Sequence, residues 1–224
     1  MPGSWMASGI SNVCTPMMKL LGVAGAMIVA SGIVTGAAAL TLELSSSATE
    51  INLTTDSSPG WIPTAEQRQR VIQTVEVFLG AVDGARYAEA YGMLSEINQR
   101  GQTLTQFAQD AQKFQALAGP PKFWRVLKVT WTKDPNPAHG PSPGTYAAVD
   151  LTAQFANVDR HCGYIVLYQR PAGGDFTIMR RENNFLDNAT ALDIERKYSK
   201  AEVANRWRQL SRYCPNYVSP VDAR

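Results

Sequence analysis

Three cysteines and two histidines are the residues best suited to chemistry in this chain of 224 residues. Removal of the N-terminal segment would take away Cys14 and leave Cys162 and Cys214, an even pair that in an oxidising compartment predicts a disulfide between a strand and the end of the last helix. Two buried thiols, or one catalytic thiol, are the alternatives. His161 directly precedes Cys162, and a histidine base beside a cysteine nucleophile could act as a catalytic pair. Neighbouring side chains on a strand point to opposite faces, however, so these two could not form the hydrogen bond that such a pair needs.

Metal and cofactor chemistry is not expected. The chain has no Cys-x-x-Cys and no His-Glu-x-x-His spacing, and His139 lies in a stretch rich in proline and glycine. A glycine-rich phosphate loop and a Gly-x-Ser-x-Gly nucleophile turn are also missing from the sequence. We therefore predict neither a metal site nor a cofactor.

General acid–base chemistry would need a buried carboxylate beside hydroxyl donors in a pocket. The residues of these types are Asp83, Tyr87, Tyr91, Asp150 and Tyr146, and the predicted pocket residues are Asp83, Tyr87, Tyr91, Trp131 and Tyr146. Each also suits a simpler role, because Asp83 precedes a glycine at a predicted helix end, the i,i+4 tyrosines suit a core or rim, and Trp131 suits a core. We therefore favour a protein without enzymatic activity over a small hydrolase or isomerase.

Three helices are predicted to position the first of these residues. Thr64 with Gln67, and Thr103 with Gln106, are capping-box pairs that open the first and third helices. The apolar residues at helical spacing are Val71, Val75, Phe78 and Val82, then Tyr87, Tyr91 and Leu94, then Phe107, Ala111, Phe114 and Ala118.

The pattern then changes to the alternation of apolar and polar residues that is typical of strands. The predicted strands are 123–132, 145–155, 163–169 and 176–181, followed by a polar turn at 182–188 and a C-terminal region of one kinked helix or two. Helices segregated before strands predict the α+β class. We expect N-terminal helices packed on a curved four-stranded antiparallel sheet, a cystatin-like cone, with a C-terminal helix.

The apolar stretch 20–42, from Leu20 to Leu42, follows Lys19 and carries no charge. It predicts either a secretory signal peptide, with translation starting just before Lys19 and cleavage near Ala39, or an uncleaved membrane anchor. Residues 43–63 are rich in serine and threonine and predict a flexible linker. The folded domain is then expected to cover 64–214, and 215–224 to form a tail.

The charge balance argues against nucleic acid as a partner. The chain has 21 lysines and arginines against 19 acidic residues, a net charge of +2, and no basic run. Binding to phosphates needs a local basic excess. We expect no nucleic acid partner.

Two stretches resemble a known family. Residues 77–91 resemble the FL-x-x-x-D-x-G-x-Y-x-x-x-W opening of an uncharacterised bacterial domain-of-unknown-function family, number 4019, with Tyr91 at the tryptophan position. Residues 144–146 and 154–157 resemble the family's G-x-Y and F-A-N strand pair. The resemblance covers about residues 77–181. It implies an exported protein with a cone-like fold similar to nuclear transport factor 2, and it implies no catalytic residues, because the family has none assigned.

The layout is also similar to inner-membrane scaffold proteins of the VirB-eight type, which have a short cytoplasmic tail, one span and a periplasmic cone. Taken together, these features predict an exported envelope protein, periplasmic or secreted, that binds a protein partner or a small apolar ligand. A single-span inner-membrane scaffold of a secretion or conjugation system, with self-association as a homo-oligomer, is the alternative binding role. A small periplasmic hydrolase or isomerase is the alternative from another class.

Overall fold

A computed structural model describes residues 42–139 and 142–211, and this part of the chain has an α+β fold. The strands are β1 (Leu42–Leu44), β2 (Asn52–Leu53), β3 (Pro121–Lys133), β4 (Thr145–Phe155), β5 (Val158–Gln169) and β6 (Thr177–Asp187). The helices are α1 (Ala65–Asp83), α2 (Tyr87–Gly92), α3 (Glu96–Gly101), α4 (Leu104–Ala118), α5 (Asn188–Lys197) and α6 (Lys200–Ser211). Short 3-10 turns occupy Ser46–Ala48 and Pro137–His139. The predicted α+β class is confirmed.

The strands form one mixed, open sheet in the order β1-β3-β4-β5-β6, with β2 also paired to β3. β3, β4, β5 and β6 are antiparallel neighbours, whereas β1 and β2 both run parallel to β3 along its outer edge. The prediction of a four-stranded, purely antiparallel sheet is therefore wrong in the number and direction of the strands.

The two additional strands lie in the segment that was predicted to be a linker. Its polar side chains bond to β3: Ser45 Oγ donates to the Leu127 carbonyl oxygen at 2.6 Å, and the hydroxyls of Thr54 and Thr132 lie 2.9 Å apart. The open edge of a strand offers hydrogen-bond partners to any extended segment. Hydrophobic patterning could not reveal these strands, because they are only three and two residues long and are defined by their pairing with β3, although Leu42 also packs against the core.

Both predicted capping boxes are present. The Thr64 hydroxyl accepts from the Gln67 backbone N–H at 3.1 Å, and the Gln67 side chain accepts in return from the Thr64 N–H at 3.0 Å. Thr103 and Gln106 make the same reciprocal pair at the start of α4. These bonds satisfy backbone donors that the first turn of a helix leaves free.

Several helix and strand boundaries differ from the prediction. α3 was not predicted as a separate helix, and β5 begins at Val158 instead of at residue 163. The predicted polar turn at 182–188 is wrong, because β6 continues to Asp187 and pairs Asn183 with Gly163 and Phe185 with His161. The C-terminal region is two helices, one of the two alternatives.

One hydrophobic core lies between the helices and a single face of the sheet. The side chains of Phe78, Trp124, Trp131, Ile165 and Leu167 are almost completely buried in it. α1 supplies its buried stripe from Val71 to Val82, and β4 buries every second residue from Thr145 to Phe155. The opposite face of the sheet is half-buried.

The predicted signal peptide or anchor, apart from Leu42, and the predicted tail at 215–224 lie outside the described residues. Across the described ranges 42–139 and 142–211, no helix is both long and apolar enough to cross a membrane.

Candidate functional site

A pocket of about 650 Å³ opens between α3, α4 and β6. Its apolar lining residues are Phe78, Val82, Leu94, Ile97, Phe107, Ala111, Phe114, Ile178 and Met179. Its other lining residues are Asn98, Gly101, Gln102, Asp110, Arg180, Arg181 and Asn183. Aromatic and aliphatic walls with a few polar groups are typical of small-molecule sites.

Five polar and aromatic residues, which we call the Asp83 cluster, adjoin this pocket: Asp83, Trp124, His161, Arg181 and Asn183. Asp83 is the last residue of α1, Trp124 lies on β3 and His161 on β5. Arg181 and Asn183 are two residues apart on β6, so both point to the helix-covered face of the sheet. The end of one helix and three strands therefore bring the cluster together.

Asp83 is held by the indole of Trp124. The Trp124 Nε1–H donates to Asp83 Oδ2 at 2.7 Å, and Trp124 itself is 1% exposed. Burial raises the pKa of the Asp83 carboxyl above its ordinary value, while the Trp124 hydrogen bond and the charge of Arg181 act in the opposite direction. The carboxylate thus occupies a poorly solvated position with one strong donor.

Arg181 is a cation in an apolar environment. Its guanidinium lies over the ring of Phe78, 5.5 Å from the ring centroid. Burial lowers the pKa of the Arg181 guanidinium to about 10, and the neighbouring Asp83 carboxylate acts against that shift. When the Asn183 amide takes the orientation that satisfies both of its atoms, its oxygen accepts from Arg181 Nη2 at 3.2 Å.

His161 is almost completely buried, with 2% of its surface exposed. Its ring packs edge-on against Trp124 and Phe155, with centroids at 5.3 Å and 5.5 Å. Burial lowers the pKa of His161 to about 4, and the charge of Arg181 acts in the same direction. The imidazole is therefore neutral at pH 7.

The proton of His161 is placed by its neighbours. His161 Nε2 lies 3.4 Å from the side-chain amide of Asn183. In the satisfied orientation the Asn183 nitrogen faces this atom, so His161 Nε2 accepts and the proton sits on Nδ1. The Nδ1 atom is buried and makes no hydrogen bond within the described part of the chain.

Gly163 makes room for the cluster on β5. A Cβ added to Gly163 would lie 2.4 Å from the Glu182 carbonyl oxygen and 3.0 Å from the Asn183 side chain. A side chain at this position would therefore push β6 away and displace the amide that joins Arg181 to His161.

Among the residues predicted to form a pocket, Asp83 belongs to the cluster but does not line the pocket itself. Tyr87 donates to Gln115 Oε1 at 2.7 Å, and the Tyr91 hydroxyl lies 2.8 Å from the Gln102 carbonyl oxygen. These two tyrosines tie α2 to α4 and to the end of α3. The five predicted residues do not surround one cavity.

Trp131 and Tyr146 lie elsewhere in the fold. Trp131 is 1% exposed and packs in the core, with its ring centroid 6.3 Å from that of Phe176. The ring of Tyr146 contacts that of Tyr168, with the centroids 4.9 Å apart and the planes tilted by 40°, and Tyr146 lines a separate groove of about 560 Å³ beside α3. In this groove the Tyr146 hydroxyl donates to the Ser142 carbonyl oxygen at 2.6 Å.

Cys162 is buried at the position of β5 next to His161, and the two side chains alternate across the sheet. That geometry disfavours the nucleophile and base pair. Cys214 lies outside the described residues, so the Cys162–Cys214 disulfide stays a prediction. Nowhere in residues 42–139 and 142–211 do three or more His, Cys, Asp or Glu residues gather so as to hold a metal.

Sequence reasoning missed the role of Arg181, Asn183 and His161. The stretch after Arg181 was predicted to be a turn, and Arg181 was not among the predicted site residues. The alternation of Arg181, Asn183 and Phe185 is the signal that could have found the site, because strand residues two apart share a face.

Residues 74–179 match the model of the family described as Protein of unknown function (DUF4019). The match confirms the predicted resemblance to this family over these residues. Neither a curated protein nor a solved structure matches the chain. The DUF4019 segment runs from α1 to the start of β6 and contains Asp83, Trp124 and His161, whereas Arg181 and Asn183 lie just beyond it. The likeness to nuclear transport factor 2 and to VirB-eight-type scaffolds stays a prediction.

Proposed function

We propose that the chain is an exported envelope protein that binds a small apolar ligand in the pocket between α3, α4 and β6. The observation that carries this proposal is the pocket itself, with a volume of about 650 Å³ and walls that include Phe78, Phe107 and Phe114. Ligand sites in proteins commonly measure roughly 300–1,000 Å³ and have mainly apolar walls. Ile97, at the rim, is 63% exposed and extends this apolar surface to solvent.

A small hydrolase or isomerase is less well supported than a binding protein. A general acid or base must lie within hydrogen-bond reach of its substrate. Asp83 has the raised pKa that such a group needs, but it accepts from Trp124 and does not line the pocket. The pocket therefore favours binding.

Binding is tested with a neutral apolar fluorophore such as N-phenyl-1-naphthylamine. Ala111 lies on the buried side of α4 and lines the pocket, so Ala111→Trp fills it. Ala116→Trp adds the same side chain on the exposed side of the helix and is the matched control. We expect the first variant to weaken binding at least about tenfold, which corresponds to roughly 1.4 kcal/mol, and the control to leave it unchanged.

A variant at the pocket rim provides a second test for the case in which Ala111→Trp does not fold. Ile97→Glu changes an exposed side chain, so the fold is retained while a charge is placed at the pocket mouth. We expect weaker fluorophore binding with an unchanged circular dichroism spectrum. Equal binding by wild type, Ile97→Glu and a folded Ala111→Trp would show that the fluorophore does not use this pocket.

The export part of the proposal rests on the apolar stretch 20–42 that follows Lys19. Intact mass of the protein recovered from an envelope fraction tests it. A mass that begins near Leu40 supports a processed periplasmic protein. A full-length mass in the membrane pellet would favour the anchored scaffold, and recovery only from the cytosol would contradict export.

A further inference from the structure

The charge inside the pocket points to the chemistry of its ligand. Arg181 lines the cavity, and its guanidinium carries several N–H donors but no acceptor. Among the described residues its hydrogen-bond partner is the amide oxygen of Asn183, at 3.2 Å. No carboxylate of these residues forms an ion pair with Arg181 within the usual 4.0 Å. The pocket thus holds a cation with donors to spare.

Asp83 attracts the Arg181 guanidinium electrostatically but accepts no hydrogen bond from it within the described residues. The Asp83 carboxylate accepts from Trp124 at 2.7 Å and is not part of the pocket wall. It therefore offsets part of the Arg181 charge from outside the cavity. The wall that a ligand would touch presents the guanidinium and not the carboxylate.

The other charges at the pocket are exposed or already paired. Arg180 pairs with Glu182. Asp110 is exposed, accepts from Gln102 Nε2 at 3.0 Å and lies 3.7 Å from Lys113 Nζ. Exposed charges are screened by water and salt, whereas Arg181, which is partly buried over the Phe78 ring, is screened less. Arg181 is therefore the least screened charge on the cavity wall.

We propose that the pocket binds an apolar monocarboxylate, whose carboxylate pairs with Arg181 while its hydrocarbon body lies against Phe78, Phe107 and Phe114. This inference rests on the proposed function. A guanidinium pairs with a carboxylate through two parallel hydrogen bonds, which are stronger than those between neutral groups. The aromatic walls bury the hydrocarbon body.

The inference is tested on the full chain with three ligands of equal length: decanoate and decylamine, each below its critical micelle concentration, and decanol below its solubility limit. Titration calorimetry is expected to rank decanoate first, decanol at least about tenfold weaker, and decylamine weakest, because a hydrogen bond to a charged group contributes roughly 1.5–3 kcal/mol. Arg181→Met should remove the advantage of decanoate and leave decanol within about threefold.

Two further variants separate the role of Arg181 from general effects. Arg70→Met removes an arginine of the same charge that pairs with Glu66 at 2.9 Å on α1 and lies outside the pocket, so the affinity for decanoate should not change. Asp83→Asn keeps an acceptor for Trp124 but removes the charge that opposes the ligand. We expect this variant to bind decanoate several times more tightly.

The outcomes distinguish the two proposals. If no apolar ligand binds, including the neutral fluorophore, the proposed function itself fails. If decanol binds as tightly as decanoate, or if Arg181→Met weakens both equally, the ligand class is wrong while the pocket remains a binding site. Weaker decanoate binding by Asp83→Asn would overturn the electrostatic argument even where Arg181→Met does not fold.

Discussion

Replacing His161 by phenylalanine should make the protein less sensitive to acid. The imidazole is 2% exposed and packs against Trp124 and Phe155, so a phenyl ring suits its surroundings. At neutral pH the variant loses only a long contact of 3.4 Å with Asn183 and no longer buries an Nδ1 that lacks a partner in the described residues. We therefore expect little change in the free energy of unfolding near pH 7.

The magnitude at low pH comes from the pKa of His161, which burial lowers from 6.5 to about 4. In the unfolded chain His161 gains its proton near pH 6.5, whereas the folded protein resists protonation down to about pH 4. The stability that the neutral ring provides is present above pH 6.5 and is lost as the pH falls to about 4. A difference of 2.5 pH units corresponds to about 3 kcal/mol.

Urea unfolding followed by far-UV circular dichroism measures this loss. Wild type, His161→Phe and His139→Gln are compared at about pH 7.5 and about pH 4, and wild type should lose about 3 kcal/mol more than His161→Phe. Asp83, with a raised pKa, acts in the opposite direction in both proteins and cancels in the difference. Equal losses in wild type and His161→Phe, or protection by His139→Gln, would refute the assignment to a buried neutral His161.

Three further predictions concern stability. Gly163→Ala should cost at least about 2 kcal/mol in urea unfolding, because the new Cβ meets a carbonyl oxygen at 2.4 Å, while Gly80→Ala on α1, with open space, should stabilise by about 0.5–1 kcal/mol. Equal effects would contradict the contact. A double-mutant cycle of Asp83→Ala and Trp124→Phe should give a coupling of about 1.5–3 kcal/mol from their 2.7 Å bond, and additive losses would contradict it. Cys214→Ser should raise the thiol count of the oxidised protein and lower its stability by about 4 kcal/mol, and no change in either would argue against the disulfide.

Much of the helical half and the central sheet followed from local patterns. Capping boxes at Thr64 and Thr103 and the apolar stripes after them predicted the starts of α1 and α4, since these signals act within a few residues of chain. Alternation predicted β3 and β4 for the same reason. The family resemblance was likewise readable from a contiguous stretch and is confirmed over residues 74–179.

Elements that depend on distant partners were not predictable in this way. β1 and β2 are three and two residues long, too short to show an alternation, and they exist because the edge of β3 pairs with them. The second half of β6 contains polar residues that suggest a turn, but β5 pairs with it as far as Asp187. The prediction failed at both places because hydrogen bonds between strands, and not local preferences, determine the structure there.

The sequence by itself determined the class of the fold, the starts of α1 and α4 and the apolar stripes of the core, because these depend on neighbouring residues. Only the tertiary structure decided which polar residues meet. Asp83, Trp124 and Arg181 are far apart in the chain, and the packing of three elements, α1, β3 and β6, brings them together beside the pocket. Burial then shifts the pKa values of Asp83 and Arg181, because desolvation depends on what surrounds a side chain and not on the residue type.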